Sequence, residues 1–185
     1  VSRAGESPAS GANPVLARIQ SLAARCDGRA FLTLADGDGR EFAMSYRGLV
    51  EGAERWARRY REAGLRTGDR IVVILEHGEA AYMAYTGALL GGFCPAFLAH
   101  PSEKFDGARY RDMVRALLGT IGGRFVVARR SSAAPLSLEG IGGLYEDGET
   151  MAPVPRGAGD PGTSDGAPLF LQFSSGTTGT KKCVA

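Results

Sequence analysis

The sequence predicts an α/β fold, in which a mixed, mostly parallel β-sheet is flanked by helices. Apolar runs predict buried strands at Arg70–Leu75, Phe93–Leu98 and Arg124–Ala128, the first of them rich in β-branched residues. Segments with helical apolar spacing separate these strands, at Glu79–Leu90 and 103–118. Strands that alternate with helices are typical of βαβ units, and continuous apolar runs are typical of strands covered on both faces.

The first part of the chain predicts a tail, a helix, a hairpin and a second helix. Residues 1–13 are rich in Ser, Ala and Gly, and we expect a flexible tail there. Apolar residues at helical spacing predict a helix that begins at Pro14, with an asparagine as its cap. We expect hairpin strands at Ala30–Leu34 and Glu41–Met44, joined by a turn with two Asp-Gly pairs. Ser45 is expected to cap the second helix.

The last part of the chain has a different pattern. Residues 129–165 are rich in Ser, Pro and Gly, which predicts a long surface linker with one short strand near Leu144–Tyr145. The apolar run 167–173 then predicts a buried strand that leads directly into a final loop. The predicted domain therefore spans 14–185, with a phosphate-binding loop at 173–184.

Composition narrows the function classes. The chain has 185 residues, 44% of them hydrophobic and 23% charged, as is typical of a globular domain. A net charge of +2 does not favour a nucleic-acid partner. The apolar stretch Ala80–Ala99 is interrupted by Gly91–Gly92 and Pro95, so no membrane span is expected.

The cysteines and histidines predict no metal site. The three cysteines lie far apart without metal-ligand spacing, and no signal peptide is evident, so we expect a reducing, cytoplasmic location. His77 falls at a predicted strand-to-helix turn, and His100 precedes a proline. We expect surface or capping positions for both histidines, not catalytic roles.

The final loop carries the residues with the clearest chemistry. Glycines permit positive φ and close approach of the backbone, hydroxyl groups donate hydrogen bonds, and a lysine adds a point charge, which together suit a polyphosphate. We therefore predict that the loop binds the cofactor through Ser174, Ser175, Gly176, Thr177, Thr178, Gly179, Thr180 and Lys182. The alternative is a plain connection between strands. The spacing of the glycines excludes a Walker A loop.

The segment Phe173–Val184, FSSGTTGTKKCV, resembles the signature loop of the adenylate-forming (AMP-binding) superfamily. That superfamily includes acyl-CoA synthetases, fatty-acyl-AMP ligases, luciferases and the adenylation domains of nonribosomal peptide synthetases. Lys181 and Cys183 stand where proline and glycine are usual, which affects the expected loop conformation. Upstream segments at 45–49 (SYRGL) and 64–71 (GLRTGDRI) are also similar to family segments, in family order.

The resemblance implies the N-terminal subdomain portion of an adenylate-forming enzyme. Such an enzyme uses ATP and Mg²⁺ to convert a small-molecule carboxylate to an acyl-adenylate, with release of pyrophosphate. The acyl group then passes to a thiol, either coenzyme A or the phosphopantetheine of an acyl or peptidyl carrier protein. The family's catalytic residues are expected beyond residue 185, so we expect this chain to be an inactive fragment on its own.

Two alternatives stay open. One is an adenylation domain of a nonribosomal peptide synthetase, although the letters FSS at the start of the loop favour a stand-alone ligase. The other is a non-catalytic interaction module that keeps the fold and carries a vestigial loop.

Overall fold

The computed structural model describes residues 13–26, 28–35, 39–101, 106–131, 140–152, 154, 168–173 and 183–184. The predicted flexible tail, except for its last residue, lies outside these ranges. The helices are α1 (Pro14–Arg25), α2 (Tyr46–Glu62), α3 (Glu79–Leu90) and α4 (Gly107–Ile121). The strands are β1 (Ala30–Ala35), β2 (Glu41–Ser45), β3 (Arg70–Ile74), β4 (Cys94–Phe97), β5 (Phe125–Ala128), β6 (Gly142–Tyr145), β7 (Thr150–Ala152), β8 (Gln172–Phe173) and β9 (Cys183–Val184).

The N-terminal elements confirm the sequence-based assignment. The side chain of Asn13 accepts a hydrogen bond of 2.9 Å from the backbone N–H of Val15, which caps α1. The side chain of Ser45 caps α2 by accepting a 3.0 Å bond from the N–H of Gly48. Strands β1 and β2 pair antiparallel as a hairpin, as predicted. Part of the turn between them, 36–38, lies outside the described residues.

The central sheet confirms the predicted mostly parallel architecture. Its five strands run in the order β4-β3-β5-β6-β7. Strands β3 to β6 are parallel to their neighbours, and β7 pairs antiparallel with β6. Because β4 and β5 lie on opposite sides of β3, the chain adds a strand on one side and then crosses to the other.

The two faces of this sheet are covered by different helices. Ile71 and Val73 of β3 pack in one apolar cluster with residues of α2 and α3. Val72 and Ile74 pack in a second cluster with residues of α4. The sheet is therefore buried on both sides, which explains why its strands are continuous apolar runs in the sequence. In the described part of the chain, no helix has the length and apolar character needed to cross a bilayer.

Two segments differ from their predictions. The stretch 129–165, predicted as a surface linker, contains two strands that extend the sheet, β6 at the expected position and β7 after it. The run 167–173 was predicted as a buried strand, and in its described part, 168–173, only Gln172–Phe173 form a strand. Leu169 and Phe170 are exposed, at 46% and 45%, while Leu171 is buried. The apolar sequence of this segment did not predict which side chains would face the core, because their burial depends on how the segment docks on β4.

Candidate functional site

Two short strands, β8 and β9, flank residues 174–182 of the predicted phosphate-binding loop. Strand β8 pairs antiparallel with β9, with Gln172 opposite Val184 and Phe173 opposite Cys183. Residues 174–182 therefore connect the two strands of a hairpin. The predicted cofactor-binding residues lie outside the described residues: Ser174, Ser175, Gly176, Thr177, Thr178, Gly179, Thr180 and Lys182. Their assignment stays a prediction.

The segment before the loop runs along the edge of the central sheet. Leu171 forms a parallel bridge with Ala96 of β4, and its N–H donates a 2.9 Å hydrogen bond to the carbonyl oxygen of Pro95. Leu171 is 6% exposed and packs in the same cluster as α4. In a parallel register, Phe173 is level with Leu98, just past the end of β4. The hairpin therefore starts at the carboxyl edge of the sheet, where α/β proteins bind ligands.

A crevice opens at the same edge between β3 and β4. The chain leaves β3 for α3 on one face of the sheet and leaves β4 for α4 on the other face. In an open sheet with the strand order β4-β3-β5, the chain leaves β3 and β5 in opposite directions, so the topological switch point, the common ligand position in such sheets, lies between β3 and β5. A cavity of about 480 Å³ lies beside it, at the carboxyl ends of β3 and β4. It is lined by Leu75 and Leu98 from the strand ends and by Ala81 and Tyr82 of α3.

Both histidines of the chain line this cavity. His77 follows β3 and His100 follows β4, and both are exposed. Their exposure agrees with the expectation of surface positions, but their convergence on one cavity was not predicted. The signal was present in the sequence, since each follows a predicted parallel strand and the carboxyl ends of such strands meet at one edge.

Charged side chains from neighbouring strand ends meet beside the cavity. Glu76 follows β3, and its carboxylate lies 2.7 Å from the guanidinium of Arg129, which follows β5. The same carboxylate oxygen lies 3.6 Å from Nε2 of His100. These side chains are 40–49% exposed, so the pairs add little to stability. They bring a carboxylate, a guanidinium group and an imidazole together at this edge of the sheet.

Aromatic and backbone contacts fix the wall that β4 contributes. Phe97 stacks on Tyr85 of α3, with ring centroids 4.5 Å apart and an interplanar angle of 4°. Burial, followed by the charge of Cys94, raises the pKa of Tyr85 to about 12. The N–H of Leu98 donates a 3.0 Å hydrogen bond to the carbonyl oxygen of Val73, so the chain past β4 stays joined to β3.

Within the described ranges, the structure brings together no group of three or more His, Cys, Asp or Glu side chains that could hold a metal ion. The loop hydroxyl groups that could meet Mg²⁺ lie outside those ranges.

Neither a protein-family model nor a curated protein matches this chain. Solved structures do match. A fatty acyl-adenylate ligase from L. pneumophila, in complex with acyl adenylate and pyrophosphate, superposes with a TM-score of 0.68 at 18% identity. The match covers 92% of this chain and 29% of the ligase.

Two further solved structures give the same result. The McyG A-PCP, complexed with phenylalanyl-adenylate, matches with a TM-score of 0.71 at 18% identity, over 91% of this chain and 27% of that one. The O-succinylbenzoate coenzyme A synthetase MenE from Bacillus subtilis, in complex with AMP, matches with a TM-score of 0.63 at 18% identity. That match covers 91% of this chain and 40% of MenE.

These matches confirm the fold that the resemblance implied. At 18% identity they concern the fold alone. The chain spans between 27% and 40% of the length of these proteins. The chain therefore has the fold of a part of the adenylate-forming enzymes.

Proposed function

We propose that this chain is the phosphate-binding part of an enzyme that activates a carboxylic acid with ATP. The carboxylate attacks the α-phosphorus of ATP, an acyl-adenylate forms, and pyrophosphate leaves. The acyl group is then transferred to a thiol, either coenzyme A or the phosphopantetheine of a carrier protein. The observation that carries this proposal is the hairpin β8–β9. It starts at the carboxyl edge of a parallel sheet, and its connection consists of glycines, hydroxyl residues and lysines.

The proposed roles in the loop follow from the residue types. Backbone amides around Gly176 and Gly179 would donate hydrogen bonds to the β- and γ-phosphates. The hydroxyl group of Thr178 would add a donor or meet Mg²⁺, and Lys182 would neutralise charge on departing pyrophosphate. This loop would contribute positioning and charge neutralisation, and no covalent step requires its side chains.

The solved structures support the reaction class through their bound molecules. The L. pneumophila ligase contains acyl adenylate and pyrophosphate, the two products of the first half-reaction. The McyG A-PCP contains phenylalanyl-adenylate. The matching structures include both a fatty acyl-adenylate ligase and the adenylation domain of a keto acid-selecting NRPS module, so they favour neither coenzyme A nor a carrier protein as the thiol acceptor.

Binding of Mg-ATP to the chain tests the loop assignment. We expect Thr178→Ala and Lys182→Ala each to weaken binding by about tenfold or more, equivalent to about 1.4 kcal/mol. Lys104→Ala is the matched control, since it removes a lysine far from the loop in sequence. Isothermal titration calorimetry gives all four affinities. Unchanged binding in both loop variants would favour the non-catalytic module and overturn the proposal.

The complete reaction is tested separately. We expect the 185-residue chain alone to give no carboxylate-dependent exchange of pyrophosphate into ATP, because it spans only a part of the enzymes that share its fold. Exchange by the purified chain would contradict this expectation.

A further inference from the structure

We propose that Tyr110 of α4 is a positioning residue for the hairpin β8–β9, which carries the proposed phosphate-binding loop. Its hydroxyl group holds residues 98–100, the post-β4 segment, and this segment lies beside the residues that lead into the loop. The inference rests on the proposed function, because it assigns to Tyr110 an effect on the binding of Mg-ATP.

Contacts from several elements hold the post-β4 segment. The backbone N–H of Leu98 donates a 3.0 Å hydrogen bond to a carbonyl oxygen of β3. The carbonyl oxygen of Ala99 accepts a 2.5 Å hydrogen bond from the hydroxyl group of Tyr110. Nε2 of His100 lies 3.6 Å from the carboxylate of Glu76, which follows β3. Of these three contacts, the one made by Tyr110 joins the segment to the helix on the opposite side, α4.

The contact made by Tyr110 is better shielded and more firmly based than the contact of His100 with Glu76. Tyr110 is 3% exposed, whereas the other two side chains are 40% and 49% exposed, and water weakens an exposed charge pair. Tyr110 also lies in the first turn of α4, where its backbone N–H donates a 2.9 Å hydrogen bond to the carbonyl oxygen of Asp106. The side chain of Asp106 caps the helix by accepting from the N–H of Ala108. The hydroxyl group is therefore presented from a fixed helix end.

The start of the hairpin packs in the same apolar cluster as Tyr110. Leu171 is 6% exposed and belongs to this cluster, and Phe173, the last described residue before the loop, packs against it. Leu171 also forms a parallel bridge with Ala96 of β4. In that register Phe173 is level with Leu98, the first residue of the post-β4 segment. Tyr110 therefore shares a packed environment with the start of the hairpin and fixes the backbone beside it.

This arrangement should matter for a loop that binds phosphates through its backbone. Such a loop acts by holding donors in place, so its affinity depends on how firmly the surrounding residues position it. Without the hydroxyl group of Tyr110, the carbonyl oxygen of Ala99 loses a donor and the post-β4 segment is held less firmly. The hairpin that lies beside this segment would then be positioned less well for the phosphates.

Two tyrosine-to-phenylalanine variants of the 185-residue chain test the inference. Tyr110→Phe keeps the buried ring and removes the hydroxyl group. Tyr60→Phe is the matched control, since the hydroxyl group of Tyr60 is also buried and donates a 3.0 Å hydrogen bond to the carbonyl oxygen of Ala84, in the cluster on the other face of the sheet. Both variants should lose similar stability in thermal unfolding. Tyr110→Phe alone should weaken Mg-ATP binding by about fivefold in calorimetry, and should speed hydrogen exchange of the Leu171 amide by about fivefold relative to Tyr60→Phe.

The outcomes separate this inference from the proposed function. If both tyrosine variants weaken Mg-ATP binding equally, or if Tyr110→Phe leaves it unchanged while Lys182→Ala weakens it, the inference is overturned and the proposed function stands. Exchange of the Leu171 amide that is no faster in Tyr110→Phe than in Tyr60→Phe also overturns the inference, whatever the result for Mg-ATP. Faster exchange in Tyr110→Phe alone, with Mg-ATP binding unaffected by the loop variants, would leave Tyr110 as a positioning residue of the hairpin and overturn the proposed function.

Discussion

The hydroxyl group of Tyr110 donates a 2.5 Å hydrogen bond to the carbonyl oxygen of Ala99. Tyr110 belongs to α4 and is 3% exposed, whereas Ala99 lies past the end of β4 and lines the cavity. The helix on one face of the sheet therefore holds the segment that forms a wall of the crevice. Burial raises the pKa of Tyr110 well above its usual range, so this hydroxyl group stays a donor at physiological pH.

Tyr110→Phe should lower the free energy of unfolding by about 1 kcal/mol, because it removes the donor and leaves a carbonyl oxygen without it. Chemical denaturation measures the change. Tyr46→Phe is the matched control, since it keeps the ring that stacks on Phe31, with centroids 4.1 Å apart. The control should change the free energy by less than about 0.5 kcal/mol. An equal loss in both variants would contradict the prediction.

Ionisation of Tyr85 should lower the free energy of unfolding at alkaline pH. Its pKa is raised to about 12 in the folded protein, against 10.0 for an ordinary tyrosine. Folding therefore favours the neutral phenol, and this contribution is complete below pH 10 and is lost as the pH rises towards 12.

Tyr85→Phe keeps a ring to stack on Phe97 but has no proton to release. Its free energy of unfolding should therefore fall less steeply than that of the unsubstituted protein between pH 10 and about 12. Urea denaturation at several pH values gives both slopes. Identical slopes over this range would show that the environment of Tyr85 does not favour its neutral form.

The close packing of α2 on α3 should depend on Gly87. A Cβ atom at this position would lie 2.5 Å from the Cβ of Trp56 and 2.6 Å from the carbonyl oxygen of Ala53. Gly87→Ala should therefore destabilise the protein by about 1–3 kcal/mol, because the helices must move apart. Thermal unfolding measures the effect.

Gly119→Ala is the control for that experiment. Gly119 is an exposed residue of α4, and, apart from its chain neighbours and the surrounding helix backbone, no described atom lies within 4 Å of the position its Cβ would take. Here alanine should stabilise the protein by about 0.5–1 kcal/mol, since it restricts the unfolded chain and favours the helix. A destabilisation of similar size in both variants would indicate that helix packing is not the cause.

Leu171 should contribute both to the stability of the fold and to the proposed binding of Mg-ATP. Leu171→Ala removes a buried side chain that docks the segment before the loop onto β4, and should cost about 2–3 kcal/mol. We also expect weaker Mg-ATP binding, because the start of the hairpin would be less firmly positioned. Leu169→Ala, at a residue that is 46% exposed, should leave both quantities nearly unchanged. Calorimetry with Mg-ATP and thermal unfolding distinguish the two effects.

The sequence determined the type and order of the helices and of the strands up to β6, but not the strands β7 and β9. Asn13 and Ser45 cap helices because their short side chains accept from backbone N–H groups, a local interaction that needs no tertiary context. The run from Arg70 to Ile74 is a buried parallel strand because both of its faces are apolar. The glycine and hydroxyl pattern of the final loop predicts phosphate binding for similarly local reasons, and this stays a prediction.

The tertiary structure decided the features that depend on the spatial neighbours of each element. The sequence put His77 and His100 at the same edge of the sheet, but the strand order made β3 and β4 neighbours and so placed both histidines on one cavity. Docking on β4 likewise decided that Leu171 is buried while Leu169 and Phe170 are exposed. The physical reason is that local pattern sets which faces of an element are apolar, whereas the neighbours that cover those faces are chosen by packing across the whole sheet.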